Sequence, residues 1–175
     1  MEPLIRRAVE ADAEALSALA DRLFVQTFVE ELGIPYPVAD LAAFLVYANG
    51  VEVMARRLDD PDIGLWIAEH DGRAVAYAMA GEADLPHPDL KPWHGMLSRL
   101  YLERAWRGRG LADPMLEAAL EWLTQVYSAR PWLTVWTGNH RAQRFYARHG
   151  FEACGECDYP VGDWIDREIV MRRRL

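Results

Sequence analysis

The sequence predicts a single α/β domain over residues 1–175, a sandwich of helices about a sheet, and three observations carry that prediction. Apolar residues switch between a spacing of two and a spacing of three or four in the order β-α-α-β-β-β-α-β-α-β-β. The 175 residues, 51% hydrophobic and 26% charged, suffice for one sizeable core and make two domains a poor fit. A strand-like run and an amphipathic helical run flank a loop with two glycines at the centre of this order.

Leu4 to Val9 reads as the first strand. Glu10 to Phe24 reads as a helix because Leu16, Leu19, Ala20, Leu23 and Phe24 repeat at three and four residues. Gln26 to Pro37 breaks the repeat and is expected to be a connection. Leu41, Phe44, Leu45, Ala48, Ala55 and Leu58 mark a second helical region, which Asn49-Gly50 interrupts. Gly64 to Glu69 and Arg73 to Gly81 are apolar runs joined through Asp71-Gly72, whose tolerance of positive φ predicts a hairpin. Pro86, Pro88 and Pro92 keep Glu82 to Trp93 from forming a regular element, so an exposed loop is expected there. Met96 to Leu102 is the strand that enters the glycine loop. Leu116, Ala119, Leu120, Leu123 and Tyr127 mark the buried stripe of the next helix, where Pro114 is tolerable because it falls in the first turn. Trp132 to Trp136 is a short strand. Asn139 to His149 is a helix with Ala142, Phe145 and Tyr146 on one face, Arg141, Arg144 and Arg148 elsewhere, and its end at Gly150. Phe151 to Cys157 and Asp166 to Met171 supply the last strands.

Charge and cysteine usage narrow the function classes. Twenty-seven acidic against 19 basic residues, a net charge of -8, argue against a nucleic-acid surface and are compatible with attracting a cation, although such acidity also serves solubility. Arg172-Arg173-Arg174 reads as a solvated strand end. No apolar run approaches the roughly 18 residues of a membrane span, and Met1-Glu2-Pro3-Leu4 lacks the basic and apolar stretches of a secretion signal. No membrane partner and a cytoplasmic location are therefore expected. Cys154-Gly155-Glu156-Cys157 has the spacing of half a zinc or redox motif, but it has no second such pair and no His pair at metal spacing. It lies in a strand-like stretch, where residues three apart face opposite sides of a sheet. Free cysteines and no metal are expected.

The most informative segment is Arg107-Gly108-Arg109-Gly110-Leu111-Ala112. Its glycines permit a tight turn and close approach of a ligand to backbone amides. The helix beginning near Ala112 aims unpaired first-turn N–H groups, and the positive end of its dipole, at an anion. It is not a Walker loop, which needs Lys-Ser/Thr after Gly110, nor G-x-G-x-x-G, which needs a third glycine. What remains is Arg107, Gly110 and Ala112 as R-x-x-G-x-A. Preceded by Leu100-Tyr101-Leu102 and followed by Asn139-His140-Arg141-Ala142-Gln143-Arg144-Phe145-Tyr146 and Gly150-Phe151, it resembles the GCN5-related N-acetyltransferase (GNAT) family over nearly the whole chain.

The resemblance implies acetyl transfer from acetyl-CoA to a small-molecule amine by direct attack. The implied fold is an α/β/α sandwich with a mixed, largely antiparallel sheet and a splayed central pair of strands. The pyrophosphate of acetyl-CoA is then expected against the amides of Arg107, Gly108, Arg109, Gly110, Leu111 and Ala112, with the Arg107 and Arg109 guanidiniums as candidate charge partners. The pantetheine arm is expected to pair with the backbone of Leu100 and Leu102, where one N–H is an oxyanion donor. It is also expected to meet Asn139, which caps its own helix. Tyr146 takes the position of the family's general acid, protonating the leaving thiolate. Ser98 departs from the pattern, because related polyamine acetyltransferases often carry a glutamate there. Deprotonation is left to Glu82, His87, His94 or Glu103 through water, or to desolvation of the amine. Asp113 is a second departure, since a carboxylate near pyrophosphate repels it unless turned away.

A narrower resemblance, to bacterial spermidine/spermine acetyltransferases, rests on Thr27-Phe28, Trp132-Leu133-Thr134-Val135-Trp136 and Tyr159-x-x-Gly162-Asp163. It implies a polyamine or similar amine as acceptor, with Glu30, Glu31, Glu82 and Asp84 as candidate groove carboxylates. The same residues also fit a strand face, a chain turn at Tyr159-Pro160 and solvated acidic loops. A peptide N-terminus or protein lysine stays open as acceptor. So do a non-catalytic acyl-CoA-binding regulatory module and a homodimer.

Overall fold

The computed structural model describes residues 2–127 and 130–174. The chain runs β1 (Leu4–Arg7), α1 (Ala13–Phe24), α2 (Val38–Asn49), α3 (Val51–Asp59), β2 (Gly64–His70), β3 (Arg73–Glu82), β4 (Gly95–Leu102), α4 (Ala112–Val126), β5 (Trp132–Trp136), α5 (His140–Arg148), β6 (Phe151–Val161) and β7 (Trp164–Arg173). One sheet takes the strands in the order β1-β2-β3-β4-β5-β7-β6. Every neighbouring pair is antiparallel except β4 and β5, whose parallel pairing needs the crossover that α4 supplies.

Alternation along β3 sorts the two faces. Ala76, Ala78 and Ala80 meet Met115, Leu116, Ala119 and Leu123 of α4, and the small side chains let the helix sit close. Tyr77 and Met79 point the other way, into a cluster with Leu16, Leu19, Ala20 and Leu23 of α1 and Met54 of α3. Full burial of each such leucine contributes about 1.5–3 kcal/mol. A third cluster, Phe24, Phe28, Ile34, Tyr36, Phe44 and Val161, closes the end of the sheet where α2 leans over the β6–β7 turn.

Several elements differ from the pattern read in the sequence. The expected connection after Phe24 begins only beyond Glu31, because α1 continues as a π-helical segment, Val25–Glu31. Thr27 and Phe28 of that segment are buried, continuing the inward face of Leu23 and Phe24, and Phe28 sits on Phe24 with ring centroids 4.7 Å apart. The second helical region is interrupted where Asn49-Gly50 predicts, at Gly50, whose φ of -52° and ψ of 149° leave the helical range. Against the expectation of no such stretch, Val38–Asp59 has the length and mean apolarity to cross a bilayer. Asp40, Glu52 and Arg56 break its runs in the sequence, and Phe44, Ala48 and Met54 anchor it in the core.

β6 extends past Cys157, so Tyr159-Pro160 lies within a strand, at a sheet edge where a missing N–H is tolerated. A bulge between Ala153 and Gly155 cancels the alternation that would put the two cysteines on opposite faces, and both pack beside Trp132 and Val170. Both are free, and burial pushes the Cys157 thiol up to about 11. In the proline-rich loop most residues are exposed, but Leu85 and Leu90 fold down onto the same cluster.

Candidate active site

The parallel ladder between β4 and β5 has two rungs, Met96 with Trp132 and Leu97 with Leu133. Beyond them β4 continues to Leu102 and β5 to Trp136 with no pairing, so the backbone edges facing the gap are available to a ligand. The divergence coincides with a bulge. Met79 pairs with Arg99 and Ala80 with Leu97, which leaves Ser98 as the extra residue, its Oγ donating to the Met79 carbonyl at 3.1 Å. The bulge also resets the alternation of β4. Leu97 faces α4, and so do Leu100 and Leu102, while Tyr101 joins the clusters on the α1 and α2 side. A cavity of about 310 Å³ fills the gap.

Seven of the predicted site residues line this cavity: Leu100, Leu102, Arg107, Gly108, Ala112, Asn139 and Tyr146. Arg109, Gly110 and Leu111 do not. The Arg109 guanidinium lies 5.7 Å from the Trp106 ring, and the Leu111 side chain is buried beneath α4. Gly108 and Gly110 have φ of +71° and +83°, and an added Cβ would meet nothing within 4 Å, so these glycines are required by backbone conformation and not by space. No side chain caps the start of α4, which leaves its first-turn amides open at the mouth of the cavity. Asp113 is turned aside to His149, 2.9 Å away. Asn139 caps α5 by accepting from the Ala142 N–H at 3.1 Å. Arg141 and Arg148 line the cavity too, against the expectation that they lie elsewhere. Seven residues apart, they share a helical face with Ala142 and Phe145.

The Arg107 guanidinium is held by protein: its Nε donates to the Leu102 carbonyl at 2.9 Å, one Nη to Thr27 Oγ1 at 3.1 Å and the other to Glu31. Arg104, at 2.9 Å, and Arg141, at 3.3 Å, converge on the same carboxylate. Burial pushes Glu31 up, but the arginines outweigh it and hold the group below the ordinary glutamate range. A depressed folded-state pKa adds stability that is present above the ordinary range and lost as pH falls through the folded value. Glu31→Gln is therefore expected to lose about 1–3 kcal/mol at neutral pH and to show a shallower loss of stability on acidification. Urea unfolding at neutral and acidic pH measures both.

Glu30, Glu31, Glu82 and Asp84 do not line the cavity, so the predicted groove of carboxylates is not assembled there. One carboxylate that the sequence reading missed does line it. Glu168 on β7 stands opposite Trp136, is 8% exposed, and has an Oε2 with no hydrogen-bond partner among the described residues. Burial raises its pKa, more than a Thr134 hydrogen bond and the Arg99 charge lower it. Asp166, Glu168 and Val170 are all buried at a spacing of two, and acidic residues on the apolar face of a strand were the available signal. The bases first considered are placed otherwise. Glu103 is locked by Arg22 and Arg73, His87 and His94 stack near Trp132, and none of these lines the cavity, nor does Glu82.

Tyr146 is 9% exposed, and its hydroxyl has no hydrogen-bond partner among the described residues. Burial, and after it the Glu168 charge, push the phenol well above its ordinary value, so it enters the site protonated. The cavity thus holds a buried proton acceptor and a buried proton donor, beside unpaired strand backbone and open helix amides. Among the described residues no group of three or more His, Cys, Asp or Glu side chains is placed to hold a metal ion.

The Acetyltransferase (GNAT) family profile matches residues 21–151. The chain is 34% identical over 166 residues to an uncharacterised N-acetyltransferase of Mycobacterium tuberculosis, covering 94% of this chain and 98% of that one. It is 32% identical over 98 residues to the spermine/spermidine N(1)-acetyltransferase of Bacillus subtilis, which is 55% of this chain and 62% of that protein. The crystal structure of an N-acetyltransferase from Thermoplasma acidophilum in complex with coenzyme A superposes with a TM-score of 0.75 over the whole of both chains, at 16% identity.

Proposed function

This chain belongs to the GNAT acetyltransferase family, an acyltransferase with acetyl-CoA as cosubstrate, and from that premise we propose that it acetylates the primary amine of a small molecule by direct attack. The observation that carries this reading is that one cavity is lined both by Glu168, whose Oε2 has no hydrogen-bond partner among the described residues, and by Tyr146, whose hydroxyl likewise has none among them. Acetyl-CoA supplies an acetyl group activated as a thioester. The amides at Gly108 and Ala112, with Arg148 nearby, suit its phosphates, and the unpaired edge of β4 at Leu100 and Leu102 suits the amides of its arm, with Asn139 alongside. Glu168 takes the proton that an ammonium must lose before its nitrogen can attack, and burial, by raising its pKa, makes it a stronger proton acceptor than an exposed glutamate. As the N–C bond forms and the C–S bond breaks, Tyr146 gives its proton to sulfur, the second proton of the attacking nitrogen restores the phenol, and the Glu168 proton returns to solvent, so an ammonium and a thioester become an amide, a thiol and one released proton.

A polyamine acceptor is a second reading, favoured by the Bacillus subtilis relative. It calls for a row of carboxylates, of which the cavity region supplies Glu168 and, deeper, Asp166. A thiol-release assay with polyamines, amino acids, aminoglycosides and peptides tests the proposal. Release of CoA with small amines is expected. Protein that binds acetyl-CoA but releases no CoA with any of them is an acyl-CoA-binding module and not a catalyst.

A further inference from the structure

We propose that the acceptor carries an anionic group, a carboxylate or a phosphate, beside its amine, and that Arg99 binds it; this rests on the acetyl-transfer reading above. Arg99 follows the bulged Ser98 on β4 and lines both the main cavity and a small inner one of about 30 Å³ that reaches Tyr159 and Asp166. A guanidinium offers five N–H donors. Here one Nη donates to the Ser98 carbonyl at 2.8 Å and the other to the Tyr159 hydroxyl at 2.8 Å, both neutral acceptors.

Among the described residues no carboxylate forms an ion pair with Arg99, although Arg6, Arg22, Arg73, Arg104, Arg107 and Arg141 all have one. Glu168 shares the cavity without pairing to it.

A second half-buried guanidinium deepens the imbalance. Arg57 of α3 donates to the Ala48 carbonyl at 2.6 Å and likewise has no carboxylate partner among the described residues. Burial, and then the charge of Arg99, push Arg57 below its ordinary value, so the two cations feel one another. Charge held away from water is costly unless an opposite charge meets it. The Tyr101 hydroxyl, unpartnered among the described residues, lines the same two cavities and is free to donate to an oxyanion. The cavity therefore offers an anion Arg99 and Tyr101, and offers Glu168, on its lining too, to take a proton from an amine. A polycation would have to set a second ammonium against Arg99.

Matched acceptors test this on the full chain: α-amino acids and ω-amino carboxylates, each against its amide, with aminoalkyl phosphonates and spermidine alongside. Wild-type protein is expected to prefer the carboxylate or phosphonate over the neutral partner at least about tenfold in kcat/KM. Arg99→Gln should shrink that ratio by about 10- to 100-fold, chiefly through KM, with Arg99→Lys recovering part of it. A readout independent of any variant is inhibition of wild-type protein by the matching acid without its amine, expected to compete with the amine and not with acetyl-CoA. CoA release with amides or spermidine equal to or faster than with every anionic amine overturns the inference while leaving acetyl transfer intact. Absence of release with all amines overturns acetyl transfer itself.

Discussion

Glu168→Gln is expected to lower kcat by about 10²- to 10⁴-fold at neutral pH and, in the same protein, to raise thermal stability. The two effects have one origin. Glu168 must be ionised to accept a proton, yet it is held where burial disfavours the charge. Its folded-state pKa lies above that of the unfolded chain, so the folded state binds the proton more tightly, and stability declines as pH rises through the elevated value. With Glu168 ionised, as proton acceptance requires, the wild-type site carries the cost of a buried carboxylate, which the isosteric amide removes. Wild-type rate should fall on acidification as Glu168 protonates, and the variant should lack that limb. A pH–rate profile and calorimetry at neutral and acidic pH separate the idea from a packing role. Activity within threefold of wild type would falsify it, and so would an unchanged acidic limb.

Tyr146→Phe is expected to lower kcat by about 10- to 10³-fold while leaving acetyl-CoA affinity within twofold. The ring contacts to Phe145, at 5.3 Å, and Phe151, at 5.8 Å, persist in phenylalanine, so stability should change by less than about 1 kcal/mol. What disappears is one O–H facing the cavity. The diagnostic measurement uses acetyl thioesters of more acidic thiols, which leave without protonation. The variant should recover most of its rate with those donors, whereas a deficit of equal size with every donor would assign Tyr146 to positioning instead.

Much of the fold was legible because apolar periodicity reports directly on which face is buried. The hairpin at Asp71-Gly72 is made by two residues at positive φ, and the glycine loop has the two positive φ values that its glycines permit. Inserted residues account for part of what the sequence did not show. Where one extra residue enters a regular ladder, the arithmetic of facing shifts, as at the bulge beside Cys154 and the bulge at Ser98. The last was visible as a spacing of three between Leu97 and Leu100 within a strand. It bears on the site most, since Arg99 lies next to it. Of the cavity lining, the residues on the glycine loop, on β4 at Leu100 and Leu102, and on α5 at Asn139 and Tyr146 were named from local motifs. Glu168 and Arg99 were not, because they come from β7 and β4 and reach the same cavity only through the order of the sheet. Arg107 shows the converse limit: a motif residue whose side chain answers to Glu31, a distant segment no spacing rule connects to it.

The two-rung junction between β4 and β5 also bears on the mechanics of the domain. Strands β1 to β4 form one plate and β5 to β7 another, and the ladder that welds them is two residue pairs long. What keeps the plates aligned is the α4 crossover and the side chains packed beneath it, drawn from both plates. A molecule lying along the seam and bonding both edges acts as a missing strand. Binding then tightens the whole sheet by mass action, by about 2.7 kcal/mol at a hundredfold excess over Kd. An acetyl donor bound there would be part of the framework as well as a reactant.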